Sequence, residues 1–251
     1  MNSCSPRPIV VVKSRLPSHC EECDARHRSV CNAIGTGDLD RLAAVATPRH
    51  IEKGETFIEE GQPAGDFFNI TAGTAKLYKM LPDGRQQITG FAGVGHFLGL
   101  AVSDTYAFTA EAIEPIELCR FSRPKLRTLL DDFPLLEKRL LETACNELVA
   151  AQEQMLLLGR KTARERVASF LATRRAEASL CGNHGSTITL PMTRTEIADY
   201  LGLTIETVSR TLTKFKQEGK ISLPSRDEIT IKDPSWLTTT ATGEDTASAF
   251  I

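Results

Sequence analysis

The chain has 251 residues, of which 41% are hydrophobic and 25% are charged, and its formal net charge is -2 at pH 7. This composition supports one large core or two modest ones and excludes a wholly disordered chain. The one apolar run near the N-terminus, residues 9–12, is too short for a signal peptide, and no later stretch approaches a membrane span. We therefore expect a cytoplasmic protein with no membrane association.

Three cysteines lie close together near the N-terminus, in the sequence CEECDARHRSVC. The chain has seven cysteines, an odd number that favours metal or redox use over a disulfide framework in a reducing compartment. Clustered thiols typically ligate zinc or an iron–sulfur cluster, and a fourth thiol would complete such a site. A redox enzyme is disfavoured because no βαβ pattern surrounds the CxxC pair. The clustered cysteines are Cys20, Cys23 and Cys31, and the candidates for a fourth ligand are Cys4, Cys119, Cys145 and Cys181.

From about residue 51 to residue 121 the pattern consists of short β-type runs separated by glycines, which predicts an all-β sandwich or barrel. In LPDGR, Asp83 and Gly84 tolerate a positive φ between two such runs, so we expect a hairpin there. The predicted strands are residues 56–58, 66–70, 75–80, 86–91, 107–112 and 116–121.

After Ser122 the apolar residues follow alternating spacings of three and four, which predicts a long helix with a heptad seam. Such a helix would pair with its counterpart in a second copy of the chain, although packing on its own domain is the alternative. Alanines on the seam bury little area, so each dimer contact is expected to be weak. The predicted dimer interface consists of Leu141, Ala144, Leu148, Ala151, Met155 and Leu158.

The segment TRTEIADYLGLTIETVSRTLTKF predicts a helix-turn-helix. Thr193 and Glu196 have the spacing of a capping box, Gly202 suits the left-handed turn, and a second helix is expected over residues 204–218. Residues 160–232 contain 13 Lys and Arg against 8 Asp and Glu, so this part of the chain is locally basic. A basic helix-turn-helix indicates binding to double-stranded DNA.

The second helix of this unit would place three polar side chains on one exposed face near its N-terminal end. Arg210 suits the O6 and N7 atoms of guanine, Glu206 suits the amine of cytosine, and Ser209 suits a base or a phosphate. An ordinary salt bridge between Glu206 and Arg210 is the alternative. Residues 221–231 predict a hairpin that would form a wing beside this helix, with Lys216 as a further phosphate contact. The predicted DNA contacts are Thr204, Glu206, Thr207, Ser209, Arg210, Lys214 and Arg226.

The predicted fold class is α+β: an N-terminal β-roll of the cyclic-nucleotide-binding jelly-roll type, a long dimerisation helix and a C-terminal winged helix-turn-helix. Beyond residue 233 the chain has no apolar period, so we expect a disordered tail, with Trp236 packed back onto the domain. The predicted parts are an arm at residues 1–34, the β-roll at 35–123, the dimerisation helix at 124–158, the DNA-binding domain at 159–233 and the tail at 234–251.

This order of elements resembles the cyclic-AMP receptor/FNR family of bacterial transcription regulators. LLLGRKTARERVASFL at residues 156–171 and ETVSR at residues 206–210 carry the resemblance, and the latter matches the FNR branch. The resemblance implies TTGAT half-sites, and the homodimer expected from the heptad seam implies that they form a palindrome. The turn at residues 82–85 is a candidate contact for RNA polymerase. Residues 86–118 contain no Lys or Arg to pair with a phosphate, so we expect no cyclic nucleotide in the β-roll.

The FNR branch carries an oxygen-labile 4Fe-4S cluster, and the resemblance implies that Cys20, Cys23, Cys31 and Cys119 ligate it here. Seven residues separate the second and third of these cysteines, a spacing similar to that of the FnrN and FnrL subgroup. Oxygen would dismantle the cluster, weaken the dimer and lower DNA affinity. The alternative is a zinc-stabilised regulator that does not respond to oxygen, with Cys119 or His27 as the fourth ligand.

Overall fold

The computed structural model describes residues 19–100, 104–180 and 185–244. Two of the candidate fourth ligands, Cys4 and Cys181, lie outside these ranges, as do most of the N-terminal arm and the last residues of the predicted tail. Within the described part of the chain, no helix is both long enough and apolar enough to cross a membrane.

The N-terminal half is a β-sandwich that is entered through a compact helical segment. Two four-stranded antiparallel sheets, ordered β1-β8-β3-β6 and β2-β7-β4-β5, pack around an apolar core. This confirms the all-β expectation. The three 3-10 helices are Asp24–Arg28, Val30–Ala33 and Thr36–Asp38, helix α1 is Leu39–Val45, and the strands are β1 (Ala46–Ile51), β2 (Thr56–Ile58), β3 (Asp66–Ala72), β4 (Ala75–Met80), β5 (Gln86–Ala92), β6 (Phe97–Leu98), β7 (Thr109–Ala112) and β8 (Ile116–Ser122).

The predicted hairpin turn joins β4 to β5. The Leu81 and Arg85 backbones are hydrogen-bonded across it at 2.7 Å, and Gly84 has a φ of 85°. A positive φ at this position is the property for which glycine is suited, since it has no Cβ to clash.

The predicted single helix after the sandwich is two helices, α2 (Arg123–Asp132) and α3 (Pro134–Arg160). Phe133 lies between them with φ -127° and ψ 78°, outside the helical region. The break follows from Pro134, because a residue before proline avoids the α conformation and proline suits the first turn of a new helix. The expectation of one continuous helix over residues 124–158 was therefore wrong.

The C-terminal half is a winged helix-turn-helix, as expected. A three-stranded sheet ordered β10-β11-β9 forms the wing next to the second helix of the pair. The core of this half continues into the sandwich through Ile88, Phe91 and Ile113. The elements are α4 (Ala163–Leu180), β9 (Thr187–Thr189), α5 (Arg194–Leu201), α6 (Ile205–Gln217), β10 (Ile221–Ser222), β11 (Glu228–Ile231) and α7 (Pro234–Thr242).

Helix α7 corrects the expectation that residues 234–251 form a disordered tail. Asp233 caps the helix by accepting a hydrogen bond from the Trp236 backbone at 2.9 Å. The Trp236 ring packs edge-on against Phe215, with 4.8 Å between the ring centres. Burial of Trp236 and Leu237 against the domain offsets the weak helix propensity of the threonine run. Residues 245–251 lie outside the described ranges.

Candidate metal centre and nucleic-acid interface

Four of the cysteines line one cleft between the N-terminal helical segment and the sandwich. Cys20 lies in the turn before the first 3-10 helix, Cys23 is the N-cap of that helix, Cys31 lies in the second 3-10 helix and Cys119 comes from β8. The cleft has a volume of about 280 Å³ including the solvent at its mouth. Cys20 and Cys31 are buried, whereas Cys23 and Cys119 are half-buried. The remaining described cysteine, Cys145, is exposed on α3. The structure thus brings together the four residues that the resemblance pointed to.

The two sides of the cleft are held in different ways. Cys119 lies in the middle of a sheet, where β8 pairs with β1 on one side and with β3 on the other. On the opposite side, the Cys31 backbone N–H donates to the buried Ser29 hydroxyl at 3.3 Å. The turn between β5 and β6 also supports the segment, because a Cβ on Gly95 would lie 2.9 Å from the Arg28 carbonyl oxygen. The thiols therefore lie between a rigid strand and a short segment fixed by local contacts.

Burial controls the protonation of these thiols. Removal from water raises the pKa of Cys20 to about 11 and that of Cys119 to about 12, and it also raises the pKa of Cys31. The neighbouring thiols are the second cause of these raised pKa values at Cys20 and Cys119. The Cys20, Cys31 and Cys119 thiols are therefore protonated at neutral pH, and ligation of a metal must release their protons. Protonated thiols are poor nucleophiles, so burial disfavours thiol redox chemistry at these three residues.

In the described structure, the thiols that line the cleft do not converge on one point. Over the described ranges, no three Cys, His, Asp or Glu side chains converge so that they could hold one metal ion. A zinc ion would draw its sulfur ligands to about 2.3 Å from a common centre. His27, the alternative zinc ligand, is exposed and does not line the cleft, whereas His19 does. All-thiolate ligation is the donor set of an iron–sulfur cluster, so the lining fits that group.

The helix-turn-helix is built as the sequence predicts. The Thr193 hydroxyl accepts from the Glu196 backbone at 3.2 Å, and the Glu196 carboxylate accepts from the Thr193 backbone at 2.8 Å, which completes the capping box. Gly202 ends α5 with a φ of 60°. Thr204 caps α6 by accepting from the Thr207 backbone at 3.2 Å. Local sequence therefore fixes both ends of the turn.

The predicted reading residues lie on the exposed face of α6. Glu206, Ser209 and Arg210 are all exposed, and Thr207 is half-buried beside the cap. Within the described part of the chain, Glu206 and Arg210 form no ion pair, and the Arg210 Nε–H instead points to the Glu206 backbone oxygen at 3.4 Å. The alternative of a simple surface salt bridge is thus not seen. Lys214 and Lys216 on α6 and Arg226 in the wing are exposed around this face.

An arginine that the sequence did not single out joins α3 to the helix-turn-helix. The Arg166 guanidinium donates to the backbone oxygens of Leu158 at 2.8 Å and Leu201 at 2.9 Å, and its Nε–H donates to that of Lys161 at 2.9 Å. Leu158 itself packs against the core of the DNA-binding half. Leu158 therefore contacts its own DNA-binding half, and its place on the dimer seam stays a prediction.

The remaining seam residues form an exposed apolar surface on α3, which we call the α3 stripe. Leu141, Leu148 and Met155 repeat every seven residues and are 65%, 60% and 65% exposed, and Ala144 and Ala151 beside them are also exposed. A row of large apolar side chains left in water marks an interaction surface. A second copy of the helix would cover it.

Both halves of the chain match families of known domains. Residues 48–133 match the cyclic nucleotide-binding domain family, and residues 165–239 match the Crp-like helix-turn-helix domain family. The chain is 38% identical over 229 residues to the nitrogen fixation regulation protein FixK of Bradyrhizobium diazoefficiens. The aligned region covers 91% of this chain and 96% of that protein.

A second relative and a solved structure are also similar to this chain over most of its length. The chain is 38% identical over 218 residues to the transcriptional activator protein FnrL of Cereibacter sphaeroides, spanning 85% of this chain and 88% of that protein. The structure of FixK2 from Bradyrhizobium japonicum superposes with a TM-score of 0.74 at 34% identity, and it covers 78% of this chain and 97% of that one.

Proposed function

The chain belongs to the Crp/FNR family of transcription regulators, and on that premise we propose that it is an oxygen-responsive activator of transcription. It would act as a homodimer while a 4Fe-4S cluster is intact, and it would control genes used under low oxygen. The observation that carries this proposal is the shared cleft of Cys20, Cys23, Cys31 and Cys119. The chain is 38% identical to both a FixK and an FnrL protein, so the identity supports a transcription regulator without indicating which signal it senses.

The cysteines would tie the N-terminal segment to the sandwich. When bound, the cluster supplies a link between them that oxygen can break. Cys119 anchors this link to β8, and β8 leads directly into α2, which precedes the helix that bears the α3 stripe. Loss of the tie would free the segment that packs against α2 and the start of α3, and the dimer would weaken.

The output of the protein would be the reading of a palindromic DNA site. In a dimer, two α6 helices would enter successive major grooves about one helical turn apart. Glu206, Ser209 and Arg210 would read TTGAT-type half-sites, while Lys214 and Arg226 would contact phosphates. The exposed turn at residues 82–85 offers a contact for RNA polymerase. The absence of cyclic-nucleotide binding stays a prediction.

The test is anaerobic purification followed by assays of iron, acid-labile sulfide and zinc. Binding to a duplex with two TTGAT half-sites is then measured by fluorescence anisotropy before and after exposure to air. We expect iron and sulfide in the protein and loss of affinity in air. Cys119→Ala should lose both metal and air-sensitive binding, whereas the matched control Cys145→Ala should keep both. Zinc without iron, with binding unaffected by air, would establish the zinc-stabilised regulator instead.

A further inference from the structure

Two polar atoms in the wall of the cysteine cleft have no hydrogen-bond partner in the described structure. They are the Asn69 Oδ1 and the Arg26 Nε, and both are shielded from solvent. Buried polar groups in native proteins are almost always hydrogen-bonded. These two unpaired groups share one cleft with four thiols, so a group held by the thiols would lie within the same wall as both of them.

Asn69 comes from the sheet side of the cleft. It lies on β3 directly opposite Cys119 on β8, and only 1% of the residue is exposed. The oxygen and the amine of an asparagine amide exchange places by a half-turn about the Cβ–Cγ bond. The amine can thus face the cleft, where two N–H groups would meet sulfur atoms that act as acceptors.

Arg26 comes from the other side, between the second and third cysteines of the arm. Its Nη2 donates to the Ile34 backbone oxygen at 3.0 Å, which holds the guanidinium in place. The Nε–H remains free for the cleft. The positive charge of this group also lies where four thiolates would bring negative charge into a poorly solvated space.

We propose that Arg26 and Asn69 donate hydrogen bonds to the sulfur atoms of a cluster held in this cleft. This inference rests on the proposed function and deepens it, because it names residues that set how readily oxygen destroys the cluster. Hydrogen bonds to sulfur and a nearby positive charge both favour the more reduced, more negative cluster. The pair would thereby raise the reduction potential and slow the loss of the cluster in air.

The experiment compares Arg26→Gln and Asn69→Leu with the wild-type protein after anaerobic reconstitution with ferrous iron, sulfide and a thiol reductant. Arg28→Gln and Asn32→Leu are the matched controls, because both residues are exposed on the same segment and do not line the cleft. The readouts are the cluster reduction potential, the iron and sulfide bound per chain, and the rate at which the visible absorbance decays in air. The melting temperature of each metal-free variant reports whether it is folded.

Both cleft variants should show a lower reduction potential and a decay in air about 10-fold faster than wild type, the scale typical of residues that support metal ligands. The controls should behave as wild type, and Arg26→Lys should recover part of the potential because it keeps the charge. An unchanged potential and decay rate in Arg26→Gln would overturn the inference and leave the oxygen-sensor proposal standing. A wild-type protein that binds no iron or sulfide would overturn both.

Discussion

The α3 stripe gives the sharpest quantitative prediction. Complete burial of a leucine side chain is worth about 2 kcal/mol, and Leu148 is 60% exposed, so a dimer interface would recover about 1.2 kcal/mol from each copy. A two-fold dimer counts this contribution twice, which makes about 2.4 kcal/mol. Leu148→Glu should therefore weaken dimerisation by at least about 50-fold, before the cost of bringing two carboxylates together is added.

Sedimentation equilibrium of anaerobic protein measures this change directly. Leu135→Glu is the matched control, because Leu135 is 67% exposed on the same helix but lies about 140° around its axis from Leu148. The control should dimerise as wild type does. If both variants had the same dimer dissociation constant as wild type, the α3 stripe would not be the dimer interface, and another surface would have to pair the subunits.

Three further predictions concern the reading face, the cleft and the pH dependence of stability. Arg210→Ala should lose about 1 to 3 kcal/mol of discrimination at one base pair in competition binding assays, and unchanged sequence preference would reject its role. Gly95→Ala should lower the unfolding free energy by about 1 to 3 kcal/mol in urea titrations, because Gly95 has a φ of 92° and an added Cβ would meet the Arg28 backbone. The control Gly93→Ala should leave the unfolding free energy unchanged, since a Cβ there would meet open space. The Arg164 guanidinium lowers the pKa of Glu218, so this contact stabilises the fold above about pH 4.3 and is lost as the pH falls through the lower folded-state pKa. Urea titrations between about pH 5 and pH 3 should show a shallower decline for Arg164→Gln, and equal slopes would contradict the assignment.

Features fixed by short-range sequence were predictable. The capping box at Thr193 and Glu196, the left-handed Gly202 and the turn that contains Gly84 each follow from residues within four positions of one another. The helix break at Phe133 also has a local cause, Pro134, but the prediction followed the regular heptad spacing beyond it and ignored the proline. Periodicity alone therefore overestimated the length of the helix.

Features that depend on distant partners were not predictable in the same way. Asn69 faces the cleft only because β3 pairs with β8, so nothing in its local sequence marks it. Helix α7 forms because Trp236 meets Phe215, which lies more than twenty positions earlier in the chain. Cys119 was found only through the family resemblance, since its spacing from the other cysteines carries no motif.

The hydrogen bonds from Arg166 to the backbones of α3 and α5 have a consequence for the spacing of half-sites in a promoter. Together with the hydrogen bond from the Gln154 amide to the Tyr200 backbone oxygen at 2.9 Å, these contacts attach the helix-turn-helix to the end of its own α3. In the proposed dimer, the paired α3 helices would set the distance between the two helix-turn-helix units. A promoter with one extra base pair between its half-sites, about 3.4 Å longer, would then bind more weakly even with every recognised base intact.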